Sequence, residues 1–292
     1  MEYPKISIVT PVFNQVNFIE ETIQSILSQG YPNLEYIIID GGSTDGTVDI
    51  IKKYESQLAY WVSEPDNGMY DALQKGFDHS TGEIMGWLNA DDLYFNGCLR
   101  LISELFSAHT DINWVTGTSH TLDTDGVFTG NAPAKKFCKY QFLMGDYKWI
   151  AQESTLWRRS LWDQCGGMID THLHFAGDFE LWLRFIQKDT LYYLGFPVGI
   201  FRKRENQLSQ QETAYADEVK RIYDTLQISK RDQNIIQKYR RRKRLANRIN
   251  KIGYLDGKRI SGLKAFEEKY FRVANTIAYS SDDRAFIFSD ER

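Results

Sequence analysis

The sequence predicts an α/β fold, with a mostly parallel central sheet flanked by helices and a helical C-terminal extension. Three observations carry this. Short β-branched apolar runs alternate with segments of helical periodicity over roughly the first 110 residues, the pattern of successive βα units. Two of those runs, Leu34–Ile39 and Ile84–Leu88, are apolar at nearly every position, as in strands covered on both faces. Each run ends in a polar or glycine-rich turn, so the loops gather on one edge of the sheet. In open α/β folds that edge binds ligands.

Taken in order, Ile6–Val9 is the first strand, and Thr10-Pro11 predicts its end. Asn17 and Glu20 have capping-box spacing, and Ile19, Ile23, Ile26 and Leu27 follow at helical intervals until Gly30 and Pro32. The second strand, Leu34–Ile39, leads into Asp40-Gly41-Gly42-Ser43-Thr44-Asp45-Gly46 and a helix through Val48, Ile51 and Tyr54. Ala59–Val62 is a third strand. A polar loop from Ser63 to Gly68 then opens a helix from Tyr70 to Phe77. After Ile84–Leu88 comes a helix carrying Leu101, Ile102, Leu105 and Phe106. Between Trp114 and Gly177 the pattern loosens. Strand-like pieces at Asn113–Gly117 and Val127–Thr129 lie among Phe137, Tyr140, Phe142, Tyr147 and Trp149. Phe179–Gln187 is helical again, with Leu181, Trp182, Phe185 and Ile186 on its apolar side, and Leu191–Leu194 and Val198–Phe201 close the sheet. From Glu212 the chain turns helical and charged, which puts a boundary near Asn206–Gln211.

The 292 residues, 42% hydrophobic and 14% aromatic, suffice for one large or two modest cores. A net charge of -4 gives no case for nucleic acid as the main partner, but the charge is unevenly spread. Residues 1–210 carry 16 Lys and Arg against 27 Asp and Glu, while residues 211–292 carry 19 against 12. Cys98, Cys138 and Cys165 are odd in number and form no CxxC pair, which suits a reducing compartment rather than a disulfide framework or zinc site. No signal peptide precedes the first strand and no apolar run reaches the roughly 20 residues of a bilayer span, so a cytoplasmic location is expected.

The chemistry centres on Asn89-Ala90-Asp91-Asp92, which follows the buried run Ile84–Leu88. Two adjacent carboxylates with no basic neighbour in sequence repel unless a cation lies between them. A hard ion such as Mg²⁺ takes one or two carboxylates and completes its shell with substrate phosphates. The plain alternative is that Asp91 or Asp92 caps the following helix. The first turn, Thr10-Pro11-Val12-Phe13-Asn14-Gln15, has no glycine, which argues against a Rossmann dinucleotide site. Pro11 and Phe13 instead offer flat apolar surface for a base, and Asp40 can accept the N3–H of uracil or thymine or the donors of guanine. Alternatively, Asp40 and Ser43 only organise the Gly41-Gly42 turn.

In succession, Ser7–Asn14, Ile39–Thr47, Glu64–Ala72 with Lys75-Gly76, and Thr81-Gly82-Glu83 through Asp92 resemble the inverting family 2 glycosyltransferases of the GT-A, nucleotide-diphospho-sugar transferase fold. The resemblance covers roughly residues 5–205. It implies that Thr10, Pro11, Phe13 and Asn14 line the nucleoside pocket and that Asp40, with Ser43 beside it, reads the base. Asp66, Gly68 and Lys75 match the segment passing the ribose and phosphates. Asn89–Asp92 matches the DxD-type element, with Asp91 and Asp92 as ligands of Mn²⁺ or Mg²⁺. Asn89 stands where the family often has Asp; its amide can still bond ribose. Gln152, Glu153 and Trp182 fall on the acceptor side. Gly177-Asp178 matches the family's catalytic pair, usually Glu-Asp, leaving Asp178 as general base; a helix N-cap is the structural alternative. His172 and His174 read as loop or acceptor-pocket residues. Some relatives supply a late histidine to the metal. Here that region reads Arg202-Lys203-Arg204-Glu205, so either metal binding is weaker or Arg202 or Arg204 takes part of the diphosphate's charge.

The expected organisation is a catalytic domain over 1–210, with a nucleotide-sugar half at 1–112 and an acceptor half at 113–210, followed by a basic helical extension over 211–292. In that extension, Lys238-Tyr239-Arg240-Arg241-Arg242-Lys243-Arg244-Leu245, with Arg248 and Lys251, interleaves with Ile235, Ile236, Ile249 and Ile252. A helix of this kind can lie on an anionic membrane at the inner face, through residues 235–252, near a lipid-linked acceptor. It can equally be a packed helix with a solvated face, or an oligomer contact. The expected activity is transfer of a sugar, with inversion, from a nucleotide donor (by default a UDP-sugar) to a glycan or lipid-linked hydroxyl in surface polysaccharide or oligosaccharide biosynthesis. A nucleotidyltransferase is the same-class rival, and a catalytically silent carbohydrate-binding or scaffold protein the other.

Overall fold

A computed structural model describes residues 3–132, 138–145, 149–205, 207–251, 261–271, 276–280 and 285–289. Of the residues singled out above, Phe137, Tyr147, Asn206 and Ile252, with the side chains of Arg248, Ile249 and Lys251, lie outside them. The first half alternates strand and helix: β1 Ile6–Val12, α1 Ile19–Leu27, β2 Leu34–Asp40, α2 Thr47–Lys53, β3 Tyr60–Ser63, α3 Met69–His79, β4 Ile84–Trp87, β5 Leu93–Tyr94 and α4 Cys98–Ala108. The second half holds β6 Trp114–Leu122, β7 Phe128–Ala132, α5 Lys139–Leu143, β8 Thr155–Arg158, α6 Arg159–Gln164, α7 Gly177–Lys188 and β9 Tyr192–Arg202. Beyond it come α8 Glu212–Thr225, α9 Lys230–Lys251, α10 Ser261–Tyr270, β10 Thr276–Ser280 and β11 Ala285–Ser289.

These strands form one mixed sheet in the order β11-β10-β9-β6-β8-β4-β1-β2-β3, with β5 on β9 and β7 on β6. Strands β3, β2, β1 and β4 run parallel, and β8 reverses direction between β4 and β6. Helices α1, α2 and α4 cover one face over Ile8, Ile38 and Val115. Helix α3, α5 to α7 and the C-terminal helices cover the other over Val9, Ile39 and Trp87. Alternate residues of β1 and β2 thus feed opposite cores, which is why these strands are apolar at most positions.

Four expectations are corrected. Strand β1 continues past Thr10-Pro11, pairing Pro11 with Ile39 and Val12 with Asp40 on β2. Its pairing with β4 ends at Val9, so the N–H that Pro11 lacks falls on the unpaired side, where proline is tolerated. The Asn17–Glu20 capping box does not form: Phe18 caps α1 without a side-chain bond, and the turn is closed by the Gln15 carbonyl accepting from Phe18 and Ile19. The two closing strands are one, β9, whose register against β6 shifts around Thr118, opposite Pro197. The extension is not wholly helical, since β10 adds in parallel to β9 and β11 closes a hairpin on it.

Helix α9 also departs from a free membrane-lying helix. Ile235, Ile236 and Tyr239 are buried against the body, so the first part of its apolar stripe is covered, while Leu245 is exposed. Its cations, from Lys238 through Arg244, remain exposed. Among the described residues no helix is long and apolar enough to cross a membrane. Cys98, Cys138 and Cys165 are buried, and none is in a disulfide.

Candidate active site

The carboxyl ends of β1, β2 and β4 open onto a cleft of about 620 Å³, within the range typical of small-molecule sites. One wall carries Pro11, Phe13, Asp66 and Gly68; the floor carries Trp87, Asn89 and Asp91; the far wall carries Gln152, Glu153 and Asp178. Segments more than a hundred residues apart in sequence therefore meet in one depression.

The β1 and β2 turns brace each other. Asp40 is fully buried, and its carboxylate accepts from the Gly42 and Ser43 N–H groups at 3.1 and 2.9 Å, from the Ser63 hydroxyl at 2.6 Å and from the Ser43 hydroxyl. Three donors converge on Oδ2 and one on Oδ1, so the turn takes up most of the carboxylate's acceptor capacity. Asp40 and Ser43 thus form the turn, the alternative left open by the sequence, and neither lines the cleft. Asn14 accepts from Thr44 N–H at 3.0 Å and donates its own N–H to Ser43 at 2.7 Å, so it too ties loop to loop. Thr10 is buried behind the wall, its hydroxyl bonded to that of Tyr36. Lys75 pairs with Glu64 at 2.9 Å and Asp71 at 3.8 Å and is absent from the lining. Asp66 does line the cleft; burial pushes its carboxyl up, while the Gly68 N–H bonds it at 2.8 Å.

The acidic strand end is clamped from behind. The Thr22 hydroxyl lies 2.9 Å from the carbonyls of both Ala90 and Asp92, and buried Arg202 bonds the Asp91 carbonyl through Nε at 2.9 Å. Arg202 also donates its backbone N–H to Asp92 Oδ1 at 2.9 Å and pairs with Glu21. Asp92 is consequently 1% exposed, faces away from the cleft, and is pushed well above the usual carboxylate range by burial and by the charges of Asp91 and Glu153. Asp91 does face the cleft. Its Oδ2 accepts from Arg204 Nε at 2.6 Å and Gln207 Nε2 at 3.1 Å, and both donors line the cavity. Asn89 holds Asp92 through Nδ2 at 3.4 Å, leaving its own Oδ1 buried with no hydrogen-bond donor.

On the far wall, Gln152 donates to the Trp87 carbonyl at 2.6 Å, and Glu153 accepts from the Ser119 hydroxyl. Burial raises the Glu153 carboxyl. A Cβ on Gly199 would lie 2.3 Å from the Glu153 carbonyl oxygen, so only glycine lets β9 pack this closely. Trp182, expected on the acceptor side, does not line the cleft. It is 1% exposed and stacks beneath Trp87 with centroids 5.6 Å apart, so Trp87 separates it from the cleft.

Asp178 sits in the first turn of α7. The N-cap is Ala176, and Asp178 Oδ1 accepts the Phe179 N–H at 2.7 Å. Burial, with a further push from Glu153, raises its carboxyl to about 7. A Cβ at Gly177 would come 2.7 Å from the Tyr70 ring, so the tyrosine fills the space of the acid usual before Asp178. Tyr70 in turn donates to the Phe175 carbonyl at 3.1 Å.

Sequence reasoning missed Glu218 of α8. It is 2% exposed and accepts the N–H groups of His174, Phe175 and Ala176 at 2.9, 2.8 and 2.8 Å, anchoring the loop that delivers Asp178. Its place on a helical apolar face with Tyr215, Val219 and Ile222 was the available signal. Also missed was the aromatic pair Trp149–Tyr215, with centroids 4.9 Å apart at the cleft mouth. His172 and His174 are exposed loop residues. No group of three or more His, Cys, Asp or Glu side chains suited to a metal forms among the described residues.

The family model for glycosyl transferase family 2 matches residues 7–161. An uncharacterized glycosyltransferase of Mycobacterium tuberculosis is 32% identical over 186 residues, covering 62% of this chain and 68% of that one. One of Rickettsia typhi is 27% identical over 201 residues, covering 65% and 61%. Among solved structures, S. aureus TarS 1-349 in complex with UDP-GlcNAc aligns with a TM-score of 0.64 at 15% identity, covering 80% of this chain and 70% of that one. The mannosyltransferase PcManGT of Pyrobaculum calidifontis, in complex with GDP-Man and Mn²⁺, aligns with a TM-score of 0.58 at 18% identity, covering 81% and 69%. The fold is GT-A, and with the ordered motifs lining one cleft and the family model spanning more than half of the chain, the protein belongs to glycosyl transferase family 2.

Proposed function

We propose that the protein transfers a sugar from a nucleoside diphosphate donor to a hydroxyl of a glycan or lipid-linked acceptor, with inversion. The observation that carries this is that Asp91 and Asp178 line the same cleft. The nucleoside lies along Pro11 and Phe13. The unbonded Asn89 Oδ1 suits a ribose hydroxyl, because a buried acceptor without a donor is costly until a ligand supplies one. The acceptor approaches past Trp149, Tyr215 and Phe175, whose rings suit the apolar face of a sugar.

One carboxylate suffices for the reaction. The acceptor oxygen attacks the anomeric carbon and its proton passes to Asp178. As the new bond forms, the carbon–oxygen bond to the diphosphate breaks, and the electron pair leaves with the nucleotide. That anion needs no general acid, whereas glycosidases devote one of their two carboxyl groups to protonating the leaving oxygen. A base titrating near 7 matches the requirement for general catalysis at neutral pH. Attack opposite the leaving group inverts the centre.

The TarS complex supports a UDP-sugar as donor; since Asp40 is occupied by its own turn, the base is read by other groups of the Pro11–Phe13 wall. A divalent ion is common in this fold. The acids expected to hold one do not fit it here: Asp92 is buried and turned away, and Asp91 is already paired with Arg204. No step is therefore assigned to a metal. TuaG of Bacillus subtilis, provisionally named a teichuronic acid biosynthesis glycosyltransferase and 36% identical over 92 residues (30% of this chain, 36% of that one), supports a surface-polysaccharide role. The exposed cations of α9 support contact with anionic headgroups at the inner face, at about 1 kcal/mol per residue and sensitive to salt. The test of the reading is NMR of the product formed from an α-linked donor. A β linkage is expected, and a retained α linkage would refute the single-base mechanism.

A further inference from the structure

We propose that Arg204, rather than a divalent ion, is the cation that meets the donor's diphosphate in this protein, an inference that rests on the donor site described above. Asp91 is the one carboxylate of the acidic strand end that lines the cleft, and its Oδ2 is held by Arg204 Nε at 2.6 Å. Gln207 Nε2 bonds the same oxygen at 3.1 Å. The pair carries no net charge, so it offers a dication little attraction and sets a guanidinium against it. The second acid does not help: Asp92 is committed to the Arg202 backbone N–H and to Asn89.

The same geometry suits a phosphate. A guanidinium presents five N–H donors in a planar fork that matches phosphate oxygens. Nε is engaged by Asp91, and Nη1 makes a 3.5 Å contact with the Glu205 carbonyl. The fork is held in place by its own backbone: Arg204 N–H donates to Gln207 Oε1 at 3.1 Å, and Gln210 donates to the Arg204 carbonyl at 2.8 Å. Arg202 cannot substitute, being 1% exposed behind the acidic turn. Asp91 thus acts as the residue that aims Arg204, and the positive charge at the leaving group is built into the chain.

Isothermal titration calorimetry of the full chain with UDP, GDP and thymidine diphosphate, each in EDTA and in Mn²⁺, tests this. The best-binding nucleotide should bind equally, within about threefold, in both buffers. Arg204→Ala should weaken that binding roughly 10- to 100-fold in EDTA, the worth of a charge-assisted hydrogen bond. Mn²⁺ should then restore part of it, because Asp91 has been freed. Arg204→Lys keeps the charge and should fall between the two, which guards against a variant that merely misfolds. Wild-type binding that tightens about tenfold or more with Mn²⁺, or Arg204→Ala binding as wild type in EDTA, overturns the proposal and leaves the donor site standing. Failure of all three nucleotides in both buffers overturns the donor site and this inference together.

Discussion

Asp178→Asn separates the base from every other feature of the cleft. The amide keeps an oxygen for the Phe179 N–H, is nearly the same size as the carboxyl, and leaves the close approach of Gly177 to Tyr70 untouched, so the fold should survive. Transfer should fall roughly 10²- to 10⁴-fold, the usual contribution of a positioned base, while donor affinity is unchanged. The wild-type kcat/KM should rise about tenfold per pH unit toward pH 7 and level off above it, and the variant should lose that limb. Stability moves the other way. With its carboxyl raised from 3.8 to about 7, the native state keeps a proton that the unfolded chain releases. The wild type therefore loses stability as pH rises through that window, by up to about 4 kcal/mol, and Asp178→Asn should be spared the loss. Urea denaturation at pH 5 and pH 8, beside a pH–rate profile, reads both effects. Unchanged transfer, or an acid limb that persists in the variant, would refute Asp178 as the base.

Two further outcomes follow from buried carboxylates. Glu218→Ala strips the acceptor from three N–H groups ahead of α7, and kcat should drop about 10- to 100-fold through misplacement of Asp178, with donor binding intact. Glu218→Gln, which keeps one oxygen, should recover part of the rate, and the acid limb should shift in both; weakened donor binding with an unchanged kcat would contradict the assignment. Burial pushes Glu35 up, but hydrogen bonds from Ser7 and Thr81 outweigh it and hold its carboxyl down, from 4.5 to about 2. Its contribution, about 3 kcal/mol at most, is complete above pH 4.5 and is lost as pH falls toward 2, so Glu35→Gln should flatten the acid-unfolding curve in that window.

The sheet was legible because β1, β2 and β4 carry their own signal: strands buried on both faces are apolar at most positions. Asp91 and Asp178 were legible only through the ordered set of motifs, because an acid after a strand or ahead of an amphipathic helix, taken alone, is as readily a helix cap. What the chain concealed were partnerships across it. The local turn at Asp40 was within reach of the sequence, but that Ser63 adds a donor to it, and that Trp182 stacks on Trp87, depends on contacts between distant segments which no local spacing encodes. The same holds for Arg204 on Asp91, 113 residues apart. The terminal hairpin escaped because β10 and β11 are short and mostly half-buried, without the continuous apolar run of a central strand.

The central claim is that donor and base share one cleft, and a crystal structure of the protein with an intact nucleotide sugar tests it most directly. The diphosphate should lie against the Arg204 guanidinium, with the sugar between it and the Asp178 carboxylate. A nucleotide bound outside the Pro11–Phe13 wall, or a sugar directed away from Asp178, would contradict the mechanism.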